Sequence, residues 1–179
     1  RAFTRIERDP NVDYLKGQLV PGEGPGESVL KLSVFEADPF SIIASANNYT
    51  PPSLGSEQLQ LEMNHSNLLG FGDELHLGVN KTEGDDSANI FYRFPFGLRT
   101  STAFYFVLGE SIVVEEPFDE IDVESESETA GFKLAYAVKD SANHNLAFTI
   151  GFERKTSFTS LLGFPFDFGY GSVDGVSTA

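Results

Sequence analysis

The chain has 179 residues, and 12 basic against 27 acidic side chains give a net charge of −15 and a pI near 4.4. That length holds one domain and a piece of another, and that charge excludes the dense Lys/Arg footprint of duplex nucleic-acid binding. The absence of cysteine removes disulfide scaffolds, thiolate-ligated zinc and thiol nucleophiles.

Residues 1–38 read differently from the rest of the chain. Ala2 to Arg8 is predicted as part of a short helix, with Phe3 and Ile6 on one face, ended by Asp9-Pro10 because a residue before proline leaves the helical region. Leu15 and Leu19 continue an apolar face, and Pro21 to Gly26 is a turn cluster that no helix or central strand tolerates. Val29 to Glu36 then alternates, with Leu30, Leu32 and Val34 opposite Lys31 and Ser33. One helix and one or two strands are too little to fold alone, so 1–38 is expected to be the end of a small α/β domain.

From Pro39 onward the chain is a run of alternating strands. Their apolar stripes are Phe40-Ile42-Ala44, Leu59-Leu61-Met63, Leu75-Leu77-Val79, Ile90-Tyr92-Phe94, Phe104-Phe106-Leu108, Phe132-Leu134-Tyr136-Val138 and Leu146-Phe148-Ile150-Phe152. Phe91 interrupts the pattern of its strand. About seven strands of about ten residues with a period of two make a strong β signal, and helical periodicity is absent. The connections 48–55, 83–87, 114–127 and 157–175 are polar, acidic or long. The intervening 67–73, 95–99 and 139–143 are shorter and less acidic. Such sorting by rim is the habit of an outer-membrane meander, and a soluble sandwich has no reason for it.

Catalytic chemistry finds little footing. His65, His76 and His144 stand in no metal-binding spacing, no nucleophile elbow occurs, and the glycine cluster at 22–26 lacks the Lys-Ser/Thr of a phosphate loop. The acidic run Glu115 to Glu128 has no alternating calcium-loop pattern and reads as a solvated surface. No enzyme, cofactor or metal site is expected.

The aromatic and aliphatic stripe is either the inner face of a soluble β-sandwich or the lipid-facing wall of a barrel with a polar lumen. Small residues crowd the opposite faces, and the strands match the nine to eleven residues of a tilted bilayer span rather than the roughly five to six of globular sheets. Both features favour lipid. On that reading the polar faces place Glu62, His76, Arg93, Lys133 and Glu153 along the lumen, as a path for substrate or, equally, as interior residues that hold the barrel's shape.

Residues 9–40 carry Asp9-Pro10-Asn11-Val12, Gln18-Leu19-Val20-Pro21-Gly22, Gly24-Pro25-Gly26 and Leu30-Lys31-Leu32-Ser33-Val34 with Glu36-Ala37. This run resembles the end of a polypeptide-transport-associated (POTRA) domain, the second such domain of the haemolysin secretion/activation transporters of two-partner secretion. Asn67-Leu68-Leu69-Gly70-Phe71-Gly72-Asp73-Glu74-Leu75 is similar to the first periplasmic turn of that family's barrel, and Leu162 to Phe166 with Gly171 to Gly175 resemble a surface loop. The resemblance implies a POTRA end at 1–38, in the periplasm, and the first half of a sixteen-stranded barrel at 39–179, in the bacterial outer membrane. It implies a pore that secretes a partner exoprotein through recognition of its N-terminal secretion region, with outer-membrane lipid as surroundings; the acidic balance argues against a nucleic-acid partner. The plug helix, the first POTRA domain, the loop that the family folds into its lumen and the remaining strands are not matched, so the chain is expected to be about one third of the whole. The rival readings are a small outer-membrane barrel with an adhesin or structural role and a soluble acidic β-sandwich that binds a partner.

Overall fold

The computed structural model describes residues 11–140, 144–165 and 175–178. The helix expected at Ala2–Arg8 lies outside them. The chain divides into two units, Arg1–Phe40 and Ser41–Ala179.

In the first unit β1 (Val12–Pro21) and β2 (Ser28–Glu36) form a two-stranded antiparallel sheet, with Leu19 opposite Leu30 and Val20 opposite Val29. The apolar spacing of Leu15 and Leu19 therefore belongs to a strand. A separation of four repeats on one face in either periodicity, and the ladder to β2 decides between them. The Pro21–Gly26 cluster is the connecting turn: Gly22 N–H donates to the Glu27 carbonyl at 2.9 Å, and Glu27 N–H returns to the Gly24 carbonyl at 3.1 Å.

The second sheet is an antiparallel meander in which each strand pairs with the next. Its strands are β3 (Phe40–Asn47), β4 (Gln58–Ser66), β5 (Glu74–Lys81), β6 (Asp85–Phe96), β7 (Thr100–Ile112), β8 (Val123–Asp140) and β9 (Asn145–Leu161). Short β10 (Phe164–Pro165) and β11 (Gly175–Thr178) both pair with β9 on its far side. The seven expected strands are all present, and the fold is a mainly β, antiparallel, partial barrel meander.

Several connections are shorter than the sequence reading expects, and in three of them polar stretches pair as strand. Glu124 to Ser127 and Ser157 to Leu161 are ladder residues of β8 and β9, paired as Glu126 with Phe158 and Ser127 with Ser157. Asp85 to Ser87 likewise belong to β6. Polar residues occupy both faces of 123–128, so the hydrophobic alternation that marks a strand is absent there although the hydrogen-bond ladder continues. Leu162 and Gly163, with φ of 53° and 73°, close a two-residue hairpin of the primed type that suits strand twist.

Packing in this sheet is inverted relative to a soluble domain. Among the described residues Ala103 is the one buried hydrophobic, while Phe148, Ile150 and Phe152 are 65%, 61% and 55% exposed. Their polar-face neighbours Thr149 and Glu153 lie on the other side, and Glu153 is half-buried. A sandwich of this length would bury its stripe, since each large apolar side chain gains about 1.5–3 kcal/mol by leaving water. The exposed stripe needs a solvent other than water.

Candidate functional site

The registers fix which side chains share the polar face. One row across the sheet runs Asn64, His76, Phe91, Tyr105, Gly131, Glu153; the next runs Ser66, Glu74, Arg93, Ala103, Lys133, Gly151. His76, Arg93, Lys133 and Glu153 therefore stand in two adjacent rows of one wall. Glu62 stands opposite Gly78, one row beyond His76.

Four contacts organise the wall. A ring nitrogen of His76 lies 2.6 Å from the Asn64 amide oxygen. The Arg93 guanidinium forms a two-pronged pair with the Glu74 carboxylate, its Nε at 2.8 Å from Oε2. Tyr105 donates its hydroxyl to Glu153 at 2.5 Å, and the Lys133 ammonium sits 5.0 Å from the centre of the Tyr105 ring. Tyr105 on β7 reaches Glu153 on β9 by lying across Gly131 of the intervening β8. A Cβ added at Gly131 would overlap that ring. Gly78 takes Asn89 in the same way. The small residues of this face are thus seats for neighbouring side chains.

Phe91 breaks the apolar–polar alternation but not the strand. The ladders of β6 run without a shift on both sides, so Phe91 is an aromatic facing the polar wall between His76 and Tyr105. Sequence reading missed Tyr105, Asn64 and Glu74. Tyr105 is hidden by parity, since it lies between Phe104 and Phe106 in a stretch that reads as one aromatic stripe.

The opposite face carries an apolar band with a charged border. From Ala130 to Val138 the outward residues of β8 span roughly 26 Å along the strand, or roughly 20 Å along the membrane normal after a tilt of about 40°. This approaches the ~25 Å outer band of membrane barrels. Beyond it the outward positions become Asp86, Glu110 and Glu126, which face one another across β6, β7 and β8. Lys81 pairs with Asp86 at 2.6 Å there. At the other end of the band Phe94 packs edge-on against Phe71 and Phe96, with ring centres 5.9 and 5.0 Å apart.

The turn between β4 and β5 is built on Asn67 and Asp73. Asn67, Gly70 and Gly72 have φ of 66°, 83° and 75°, conformations open to asparagine and glycine. The Asn67 side-chain oxygen accepts from Gly72 N–H at 2.8 Å. Both oxygens of the fully buried Asp73 accept from Leu69 N–H, at 3.0 and 3.2 Å, and Tyr92 donates its hydroxyl to Asp73 at 3.0 Å. Burial pushes the Asp73 carboxyl up, but these hydrogen bonds, with those of the turn's own backbone, outweigh it and hold the carboxyl below its usual range. On the opposite rim the Leu54 carbonyl accepts from the Thr82 hydroxyl at 2.5 Å and from Gly84 N–H at 2.9 Å, and Val114 N–H reaches the Ser53 carbonyl at 2.9 Å. The connection before β4 is thereby tied across the β5–β6 turn. Among the described residues no three His, Asp or Glu side chains gather as a metal site.

The family model for haemolysin secretion/activation proteins of the ShlB/FhaC/HecB type matches residues 26–166. The chain belongs to that family. It is 32% identical over 92 residues to the outer membrane transporter CdiB-2 of Burkholderia pseudomallei strain 1026b, which covers 48% of this chain and 16% of that protein. Among solved structures, CdiB from Escherichia coli superposes with a TM-score of 0.75 at 16% identity, over 92% of this chain and 32% of that one. BamA from Haemophilus ducreyi, lacking POTRA domains 1–3, superposes with a TM-score of 0.62 at 13% identity, over 99% of this chain and 35% of that one. The chain thus spans about a sixth of its curated relative and about a third of the solved chains. Both solved neighbours share the partial barrel wall. Family and fold together place the chain in the bacterial outer membrane.

Proposed function

We propose that this chain is a section of a two-partner secretion transporter, and that the whole protein moves an unfolded exoprotein of the haemolysin or adhesin type from periplasm to cell surface. The family match over residues 26–166 carries this reading, and the inverted wall supports it: apolar stripe outward, charged and amide groups inward. In this reading residues 1–38 are the end of a POTRA domain in the periplasm, which captures the exoprotein's N-terminal secretion region by strand addition at a sheet edge. Residues 39–179 open the barrel. In this reading the work comes from folding outside and from binding energy, because the outer membrane has no nucleotide supply.

The five lumen residues divide into two groups by their contacts. Glu153, His76 and Arg93 are engaged with Tyr105, Asn64 and Glu74, and serve as braces. The Glu62 side chain makes no hydrogen bond or ion pair with any described residue, and Lys133, over the Tyr105 ring, is exposed on the wall; these two are the ones that meet a passing chain. Deleting the transporter gene should leave its secreted partner in the periplasm, and restoring the intact gene should return the partner to the medium or cell surface. Normal export from the deletion strain would refute the assignment.

A further inference from the structure

The turn Asn67–Asp73 bonds its Asn67 and Asp73 side-chain oxygens to its own backbone and leaves its large apolar side chains outside. Four of its backbone N–H groups have acceptors within the turn itself: Asn67 to the Asp73 carbonyl at 2.5 Å, Gly70 to the Asn67 carbonyl at 3.3 Å, Leu69 to the Asp73 carboxylate and Gly72 to the Asn67 side chain. The one carboxylate is wholly buried, while Leu68, Leu69 and Phe71 are 47%, 59% and 66% exposed. The Asn and Asp bonds are ordinary turn chemistry, but three large apolar side chains held outward on one short turn gain nothing in water. Near the edge of the hydrocarbon, where water thins out, a turn that pairs part of its backbone within itself loses less by lying against lipid than one that leaves every group to water.

The surroundings indicate one occupant. Phe71 packs on Phe94, and Phe94 on Phe96, so the turn is continuous with the aromatic end of the lipid-facing band. At the neighbouring β6–β7 turn Phe96, the last residue of β6, and Leu98 are 58% and 76% exposed. We infer that the Asn67–Asp73 turn is a preformed lipid anchor, which seats Leu68, Leu69 and Phe71 in the headgroup–acyl boundary of the leaflet at the short-turn rim and sets the height of the barrel in the membrane. Asp73 and Asn67 are its positioning residues: they hold the backbone so that the three side chains cannot fold back. The inference rests on the membrane reading of the apolar stripe.

The test is site-directed nitroxide labelling of the intact transporter in phospholipid vesicles, at Leu69→Cys and, in a second sample, Phe71→Cys. Collision with oxygen, which concentrates in lipid, is compared with collision with a water-soluble nickel chelate. Anchoring predicts oxygen collisions exceeding nickel collisions at both sites, and a reversal of that ratio at Leu69 in Asp73→Ala. A label at Ile150 is the control for the stripe, and one at Glu120 the control for water. Nickel dominance at residues 69 and 71, with oxygen dominance retained at 150, would overturn the anchor alone. Shielding from both reagents at 69 and 71 would overturn it in favour of a protein cover. Nickel dominance at 150 as well would overturn the membrane reading on which it stands.

Discussion

At the scale of single residues, Asp73 concentrates the most chemistry in the fewest atoms. Its carboxylate holds Leu69 N–H and the Tyr92 hydroxyl, and its truncation to alanine leaves both without that acceptor. Charge-assisted hydrogen bonds contribute about 1.5–3 kcal/mol each, so Asp73→Ala should destabilise the barrel by about 2–3 kcal/mol in urea unfolding from micelles. The sign with pH follows from the depressed carboxyl. Its stabilisation is present above the unfolded value near 3.9 and is lost as pH falls through the lower folded value. The gap between wild type and Asp73→Asn should therefore be largest at neutral pH and shrink below about pH 4. A gap independent of pH would contradict the hydrogen-bonding account. Gly131 offers a second test, since any Cβ there meets the Tyr105 ring. Gly131→Ala should cost about 1–3 kcal/mol by overpacking, and much less when Tyr105→Ala is combined with it. Equal cost in both backgrounds would show that the ring is not what the glycine accommodates. Lys133→Ala and Glu62→Ala should instead slow export with little loss of stability, whereas Glu153→Gln should weaken the Tyr105 bond and lower stability first.

At the scale of the element, the amino-acid pattern displayed the seven strands because the two sides of each strand meet different solvents. Where that contrast vanishes, the pattern goes silent. Val123 to Ser127 carries Glu and Ser on alternate positions, both hydrophilic, so the upper part of β8 reads as loop although it pairs fully with β7 and β9. The Asn67–Asp73 turn was legible as a motif, and its Asn and Gly positions are those with positive φ. What the motif could not show is that Asp73 bonds Tyr92, a residue nineteen positions away that is brought near by the β5–β6 register. The wall residues His76, Arg93, Lys133 and Glu153 were placed on one face by parity alone, but their partners required strand order and register. Faces can be tested directly. Phe148→Arg or Leu134→Arg, near strand centres on the apolar side, should cost roughly 2–4 kcal/mol because the guanidinium meets hydrocarbon. Thr149→Arg, one position along on the polar face, should cost much less. Equal tolerance of both would count against the assignment of faces.

At the scale of the whole molecule, the meander leaves backbone groups to be completed. The free side of β9 is covered at Phe152–Lys155 by β11 and at Ser160–Leu161 by β10. Unpaired strand edges are costly in lipid, so the wall gains most of its stability when further strands close it. The isolated 179 residues should accordingly aggregate or require detergent, and a monodisperse, detergent-free monomer by size-exclusion chromatography would speak for a soluble fold. Orientation follows from the proposed secretion route, with the acidic 113–122 connection outside and the 97–99 turn in the periplasm. A membrane-impermeant maleimide should label Glu120→Cys but not Arg99→Cys in intact cells; the reverse result would invert the topology. The central claim is that one face of this wall meets lipid and the other meets the secretion path. Nitroxide scanning of the intact transporter along Leu146–Glu153 tests it most directly. Oxygen collisions should peak at Leu146, Phe148, Ile150 and Phe152 and fall at Ala147, Thr149, Gly151 and Glu153. A flat profile, or peaks at the odd-numbered positions, would contradict it.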